Sequence, residues 1–344
     1  MTLLHFNIHG YCHGIKLKYF QIEPPDIFAY LESIMEAIQT QELTKQYRIG
    51  RFTKKNILAL NKVSLDVHQG EIFGLLGPNG AGKTTFIKLL LSIAFPTSGS
   101  ATVLGHQLGE RALKEEIGYL PESHRYPSFL NAFDTLLFFG RLNGLPEQVL
   151  RERAATLLDR VGLSEWKKVK TKKFSKGMLQ RLGLAQALIN DPKIIFLDEP
   201  TDGVDPVGRK EIRDMLFGLK NEGKTIFLNS HLLSEVEAIS DRVAILNKGE
   251  VIKVGTIEEI NSQKIVYAIQ LSAHLPLELE EKFKSSLPSV VLSENLLTVT
   301  LNDKSELNSV IDALRNANIA IEGMTQQKTS LEDYFIQLVK GDAQ

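Results

Sequence analysis

The hydrophobic pattern of this chain changes period several times, and each change predicts an element. Ala37, Ile38, Leu43 and Tyr47 open a strand-like segment, and Ile57 to Val67 reads as a second. Glu71-Ile-Phe-Gly-Leu-Leu76 is a short apolar run, and a helical pattern begins after Lys83. Residues from about Ser128 to Asn190 are helix-rich. Phe133 and Leu136 to Phe139 start one helix, Val149 to Val161 make another, and Leu179 to Ile189 a third. Apolar runs return at Ile194 to Leu197 and Thr225 to Leu228. Four such residues in a row suit a parallel strand buried on both faces. Ser234-Glu-Val-Glu237 has capping-box spacing for a short helix. Val243 to Leu246 and Val251 to Val254 flank Asn247-Lys-Gly-Glu250, a hairpin signal. Alternating strand and helix signals predict a parallel α/β core.

The two ends read differently. Met1 to Ser33 has no clear period and carries Pro24-Pro25. It has too few basic residues, and no uninterrupted apolar stretch, for a secretory signal. After Gly255, Val266 to Leu271, Ser289 to Leu292 and Leu296 to Leu301 look like strands. Leu277 to Leu287, Glu306 to Ala317 and Leu331 to Val339 look like helices. Together they predict a small α+β domain of a size that can fold alone.

Composition narrows the class. The chain has 344 residues, 43% hydrophobic and 24% charged, with a formal net charge of −1. That is enough for about two domains with cores of their own and excludes a disordered chain. Bulk charge gives no basic footprint, so no nucleic-acid partner is expected. The one cysteine, Cys12, excludes an internal disulfide and suits a reducing compartment. The longest apolar run, Leu89 to Phe95, falls far short of a membrane span.

Chemistry enters at Gly77-Pro78-Asn79-Gly80-Ala81-Gly82-Lys83-Thr84, which fits G-x-x-x-x-G-K-[ST] between a strand and a helix. Such a loop, with Thr85 following it, curls so that successive N–H groups point at phosphate oxygens, and the helix N-terminus adds a favourable dipole. Lys83 reaches the terminal phosphates in this reading, and the Thr84 hydroxyl ligates Mg²⁺. The bland alternative is a Gly-rich turn. The run Ile194-Ile-Phe-Leu-Asp198-Glu199 ends in two carboxylates at the end of a predicted sheet strand, where open α/β sheets bind ligands. Asp198 is read as the Mg²⁺ ligand, mostly through water, and Glu199 as the general base. Without the phosphate loop they would be a mere acidic pair.

These segments resemble the ATP-binding subunit of an ATP-binding-cassette (ABC) transporter, and the resemblance runs from about Gln39 to Thr256. Phe174-Ser175-Lys176-Gly177-Met178-Leu179-Gln180-Arg181 is similar to the family signature L-S-G-G-Q. It departs at Phe174, Lys176 and Met178 and keeps Ser175 and Gly177, which in the family contact the γ-phosphate held by the other subunit. Asp205 stands at the family's D-loop position, or is a turn aspartate before Pro206. His231, after the strand Thr225 to Leu228, resembles the histidine that contacts the γ-phosphate. Glu122 occupies the position of a glutamine that reaches Mg²⁺. Tyr47 sits where the family stacks an aromatic ring on adenine, or is a packing residue. Six lysines between Lys167 and Lys176 read as a solvated face or as a surface for anionic lipid. Tyr126, Phe129, Phe133, Phe138 and Phe139 read mostly as core of a helical subdomain, one or two lining the groove for the membrane partner's coupling helix.

The resemblance implies a mononucleotide-binding α/β core with an antiparallel edge sheet and an inserted helical subdomain. The expected division is an ATP-binding domain over residues 35–256, its helical subdomain at about 124–190, and an α+β accessory domain over 257–344. Thr329-Ser-Leu-Glu-Asp-Tyr-Phe335 resembles the tail of exporter-type members. Residues 1–34 fall outside the resemblance and are expected to be a disordered extension or absent from the natural protein. The implied activity is ATP hydrolysis with Mg²⁺ at the interface of a nucleotide-sandwich dimer, homo- or heteromeric, driving a separate multi-span permease at the cytoplasmic face of the membrane. The rival is a soluble ABC ATPase acting on ribosomes or DNA. Such relatives carry two cassettes or a long coiled-coil insertion, and neither is present here.

Overall fold

The structure is a computed structural model that describes residues 36–49, 55–123, 125–261 and 265–327. The readings for residues 1–34, for Thr329 to Phe335 and for the last predicted helix lie outside these.

Three sheets organise the described residues. Strands β1 (Glu36–Ile49), β2 (Lys55–His68), β4 (Ser98–Val103) and β5 (His106–Gln107) form an antiparallel edge sheet in the order β2-β1-β4-β5. The central sheet contains β3 (Ile72–Leu76), β6 (Ile117–Leu120), β7 (Ile194–Asp198), β8 (Thr225–Asn229), β9 (Arg242–Asn247) and β10 (Glu250–Thr256), ordered β10-β9-β3-β8-β7-β6. All its pairings are parallel except the hairpin β9/β10. That hairpin turns through Lys248 and Gly249, both with positive φ (47° and 85°). This is the geometry that a two-residue turn needs to match strand twist.

The continuous apolar runs have the predicted cause. Along β3, Ile72 and Leu76 face one core while Phe73 and Leu75 face the other; on β7, Ile195 and Leu197 oppose Ile194 and Phe196. Successive side chains of a strand point to opposite faces, so the middle of a strand covered on both sides is apolar, and its polar residues stand at its ends. One face packs against the edge sheet and α1 (Lys83–Leu90). The other packs against α3 (Ala132–Leu142), α4 (Glu147–Arg160), α5 (Lys176–Ala187), α6 (Pro206–Asn221) and α7 (Leu233–Ile239), α2 (Arg111–Glu116) having come before β6. Helices α3 to α5 are inserted between β6 and β7, the helix-rich stretch of the sequence.

Beyond β10 lie α8 (Ile257–Asn261) and a third sheet. It contains β11 (Ile265–Leu271), β12 (Ser289–Ser293), β13 (Leu296–Leu301) and β14 (Ile321–Gln327), all antiparallel, in the order β12-β13-β11-β14. With α9 (Leu277–Ser286) and α10 (Lys304–Asn316) this unit has a core of its own around Phe283, Val299 and Leu314.

Some local readings are corrected. Helix α5 starts at Lys176 rather than Leu179, because the Ser175 hydroxyl accepts from the Met178 N–H and caps it. Ser234 does not cap α7; the helix starts one residue earlier, and the Ser230 hydroxyl accepts from Leu232 N–H just ahead of it. Among the aromatics that follow β6, Phe129 and Phe138 are exposed, whereas Tyr126 and Phe133 pack against the core. Strands β4, β5, β6 and β14 and helices α2, α6 and α8 are not among the predicted elements. Helix α6 nevertheless carries a sequence signal: Asp205 caps it, Pro206 stands at its first position, and Ile212, Leu216 and Leu219 share its buried face.

Candidate active site

The phosphate loop joins β3 to α1 and is shaped by what lies behind it. A Cβ added to Gly77 would sit 2.3 Å from the Leu246 carbonyl oxygen. One added to Gly82, whose φ is 109°, would sit 2.4 Å from that of Ala59. Only glycine fits at either position. Gly82 is also the N-cap of α1 and offers it no side chain. The first turn carries no acid, which leaves its N–H groups and dipole directed at the loop. Lys83 is buried, and its ammonium donates to the carbonyls of Gly77 (2.7 Å) and Pro78 (3.3 Å). Burial pushes Lys83 below the ordinary lysine range, opposed by the carboxylates of Glu199, Asp198 and Glu122.

Beside the loop, β7 and β8 end next to each other. Asp198 is 1% exposed and accepts from the Asn229 amide across the strand pair. Burial pushes its carboxyl above the ordinary aspartate range; the Asn229 hydrogen bond opposes this, while Glu122 and Glu199 add to it. Glu199 is buried too, and its φ of 54° is left-handed. Such a backbone costs a non-glycine residue on the order of 1–3 kcal/mol and persists only where its surroundings enforce it. Those surroundings are visible. Glu199 N–H donates to the Asn229 carbonyl (2.9 Å), and its own carbonyl accepts from the Gln180 side chain (3.0 Å) and Asp202 N–H (3.2 Å). Its carboxylate accepts from the Ser230 hydroxyl (3.2 Å) and lies 2.8 Å from His231 Nδ1.

Four phenylalanines tie these elements together beneath the site. Phe227 of β8 has ring centroids at 5.8 Å from Phe73 of β3, 6.0 Å from Phe86 of α1 and 5.5 Å from Phe196 of β7. The strands and helix that deliver the loop, the acids and the histidine therefore share one packed cluster.

The outcome is a cleft of about 380 Å³. Asn79, Gly80, Ala81, Gly82, Lys83, Thr84 and Thr85 line it together with Glu122, Asp198, Glu199 and His231. Its apolar wall is Ile57, Leu58 and Ala59 from β2. Tyr47 is not among the lining residues; it pairs with Ile57 across the edge sheet, and Lys45 Nζ lies 5.0 Å from its ring. Ser175, Gly177 and Asp205 border a separate depression with Trp166, Met178 and Arg181. Within one chain, then, the predicted residues other than Tyr47 fall into two groups. Asp205 also caps α6, accepting from Val207 and Gly208 N–H (3.1 and 3.0 Å), and these bonds hold its carboxyl below the ordinary range.

Comparison with known proteins fits this geometry. The ABC transporter domain family matches residues 60–202. An uncharacterised ABC transporter ATP-binding protein of Synechocystis is 40% identical over 305 residues, covering 88% of this chain and 84% of that protein. The bacitracin transport ATP-binding protein of Enterococcus faecalis is 34% identical, covering 90% of this chain and 98% of that protein. The chain belongs to the ABC transporter ATP-binding protein family. An ATP-binding cassette solved as a dimer in a post-hydrolysis state, bound to ADP and Pi, is 25% identical with a TM-score of 0.59, covering 64% of this chain and 98% of that one. This ABC protein is thus an ATP hydrolase of the transporter class, with the α/β cassette fold the sequence predicted.

Besides the wall residues Ile57, Leu58 and Ala59, three residues of this ABC site were not predicted from the sequence: Gln180, Asn229 and Ser230. Asn229 and Ser230 directly precede His231, so the adjacency was available. Gln180 stands in the signature segment, but its role is not legible there, because its partner is a main-chain carbonyl.

Proposed function

We propose that this chain hydrolyses ATP in a composite site closed by a second ATP-binding subunit. The observation that carries this is the division of its phosphate-binding groups. The loop, Asp198, Glu199 and His231 line one cleft, while Ser175 and Gly177 border another depression of the same chain. A second copy, or a close relative, would bring its Ser175 and Gly177 over the first cleft.

In this reading the loop amides and Lys83 hold the β- and γ-phosphates. Glu199 takes the proton of the attacking water, and His231, paired with that carboxylate, orients the water and meets the γ-phosphate. Ile57, Leu58 and Ala59 form the wall for the base, with Tyr47 one strand away. Mg²⁺ fits the donor set: the Thr84 hydroxyl, Asp198 and Glu122 are hard oxygen donors around one cleft, and Asn229 Oδ1 is a buried acceptor without a partner among the described residues. Few protein oxygens suffice, since Mg²⁺ keeps waters and takes its other ligands from the phosphates. When bound, it neutralises charge developing on the transferred phosphoryl group.

Among the described residues no helix is long and apolar enough to cross a membrane. A separate multi-span permease at the cytoplasmic face would supply the pathway. A cavity of about 430 Å³ lies beside Glu122, between β6 and the inserted helices. Its lining by Tyr119, Arg125, Tyr126 and Phe139 supports docking of a permease segment there. The transport and ATP-binding names of the relatives favour this reading over action on ribosomes or DNA.

The test is Glu199→Gln. Removing only the base should lower turnover at least about 100-fold and leave ATP affinity within about twofold. Near-normal turnover would refute the assignment.

A further inference from the structure

We propose that Gln180 is a positioning residue for Glu199, holding the strained main chain that aims the base at the cleft. The proposal rests on the reading of Glu199 as general base.

Three observations converge on it. First, Glu199 has a φ of 54° and is followed by Pro200. No N–H is available at Pro200 to anchor the turn, so the peptide plane after Glu199 must be fixed through its carbonyl. Secondly, that carbonyl accepts from Gln180 Nε2 at 3.0 Å, and Gln180 is 3% exposed. A buried amide spent on a main-chain oxygen is a costly arrangement unless the bond is made, and here it is made to a site residue with a left-handed main chain. Thirdly, the carboxylate has its own partners, Ser230 and His231, which constrain the far end of the side chain. The near end, the direction of Cα–Cβ, is set by the main chain that Gln180 holds. The remaining donor to the same carbonyl, Asp202 N–H at 3.2 Å, belongs to the turn itself and cannot fix it from outside.

The tie comes from α5, the helix that Ser175 caps. A second contact runs in parallel: Lys176 Nζ lies 2.7 Å from Asp202. The turn from Glu199 to Asp202 is therefore held at both ends by α5. Reactivity is sensitive to this geometry, because a displacement of about 1 Å in a reacting group can cost about 100-fold.

The experiment measures ATP turnover, nucleotide affinity and thermal unfolding for the full chain and three variants. Gln180→Met keeps the volume and removes the donor. Turnover should fall about 10- to 100-fold, with Kd for ATP within about threefold and little change in Tm. Gln180→His keeps a ring N–H and should recover part of the loss. In a Glu199→Gln background, adding Gln180→Met should change the residual turnover less than twofold, since there is no base left to aim. Unchanged turnover in Gln180→Met overturns the proposal. So does an equal loss in the Glu199→Gln background, parallel loss of turnover, affinity and stability, or unfolding of both Gln180 variants, since each makes Gln180 a general packing residue. Near-normal turnover in Glu199→Gln alone would instead refute the base assignment, whatever Gln180 does.

Discussion

Replacing Asp198 by Asn should stabilise the protein while ending its turnover. The Asp198 carboxylate is 1% exposed, and its hydrogen bond comes from a neutral amide, that of Asn229. The nearby ammonium of Lys83 is engaged with the Gly77 and Pro78 carbonyls instead. Burial raises the folded-state pKa above the ordinary 3.8. A group whose folded pKa is raised destabilises the fold when ionised. The cost is fully present above the raised value and disappears as pH falls below the unfolded one. An asparagine has the same shape and can still accept from Asn229, without the charge. Part of the gain is offset, since Lys83 loses one of three neighbouring carboxylates. The expected net gain is about 0.5–2 kcal/mol, the size usual for a single stabilising substitution. For a domain of about 150–250 residues, about 2–4 °C of Tm accompanies each kcal/mol, so a rise of a few degrees is expected. Thermal unfolding of both proteins between pH 8 and pH 4 checks it. The gap should be largest at neutral pH and close in acid. A variant less stable than the parent at pH 7, or a gap independent of pH, would refute the reasoning. Turnover with Mg²⁺ should fall at least about 100-fold, because a hard anionic ligand has been lost.

Other substitutions probe the scaffold. Gly82→Ala places a Cβ 2.4 Å from the Ala59 carbonyl at a φ of 109°, so affinity for a fluorescent ATP analogue should drop more than tenfold, as equilibrium titration would show. Phe227→Ala empties the centre of the phenylalanine cluster and should cost about 3–5 kcal/mol in denaturant unfolding, with Phe227→Leu costing less.

Much of the site was legible because its chemistry is local. A phosphate loop needs consecutive glycines, a lysine and a hydroxyl within one strand–turn–helix, so Gly77 to Thr84 could be read directly. The acidic pair and His231 follow uninterrupted apolar strands, whose position in a two-faced core is written in their composition. The hairpin at Lys248-Gly249 was equally local. Short or weakly patterned elements were not legible. Helix α2 has six residues and β5 two, and both depend on neighbours distant in sequence.

The sequence by itself determined which groups this chain offers for chemistry and the order in which they come. Tertiary structure decided which of them meet. It put Lys83, Glu122, Asp198, Glu199 and His231 around one cleft and sent Ser175, Gly177 and Asp205 to another. It placed Ile57 and Leu58, not Tyr47, on the cleft wall, and gave Glu199 a left-handed backbone held by Gln180. The physical reason is that motif chemistry is carried by side chains adjacent along the chain. Proximity across the sheet, by contrast, comes from parallel strands brought together over dozens of residues, and no short window of sequence records that pairing.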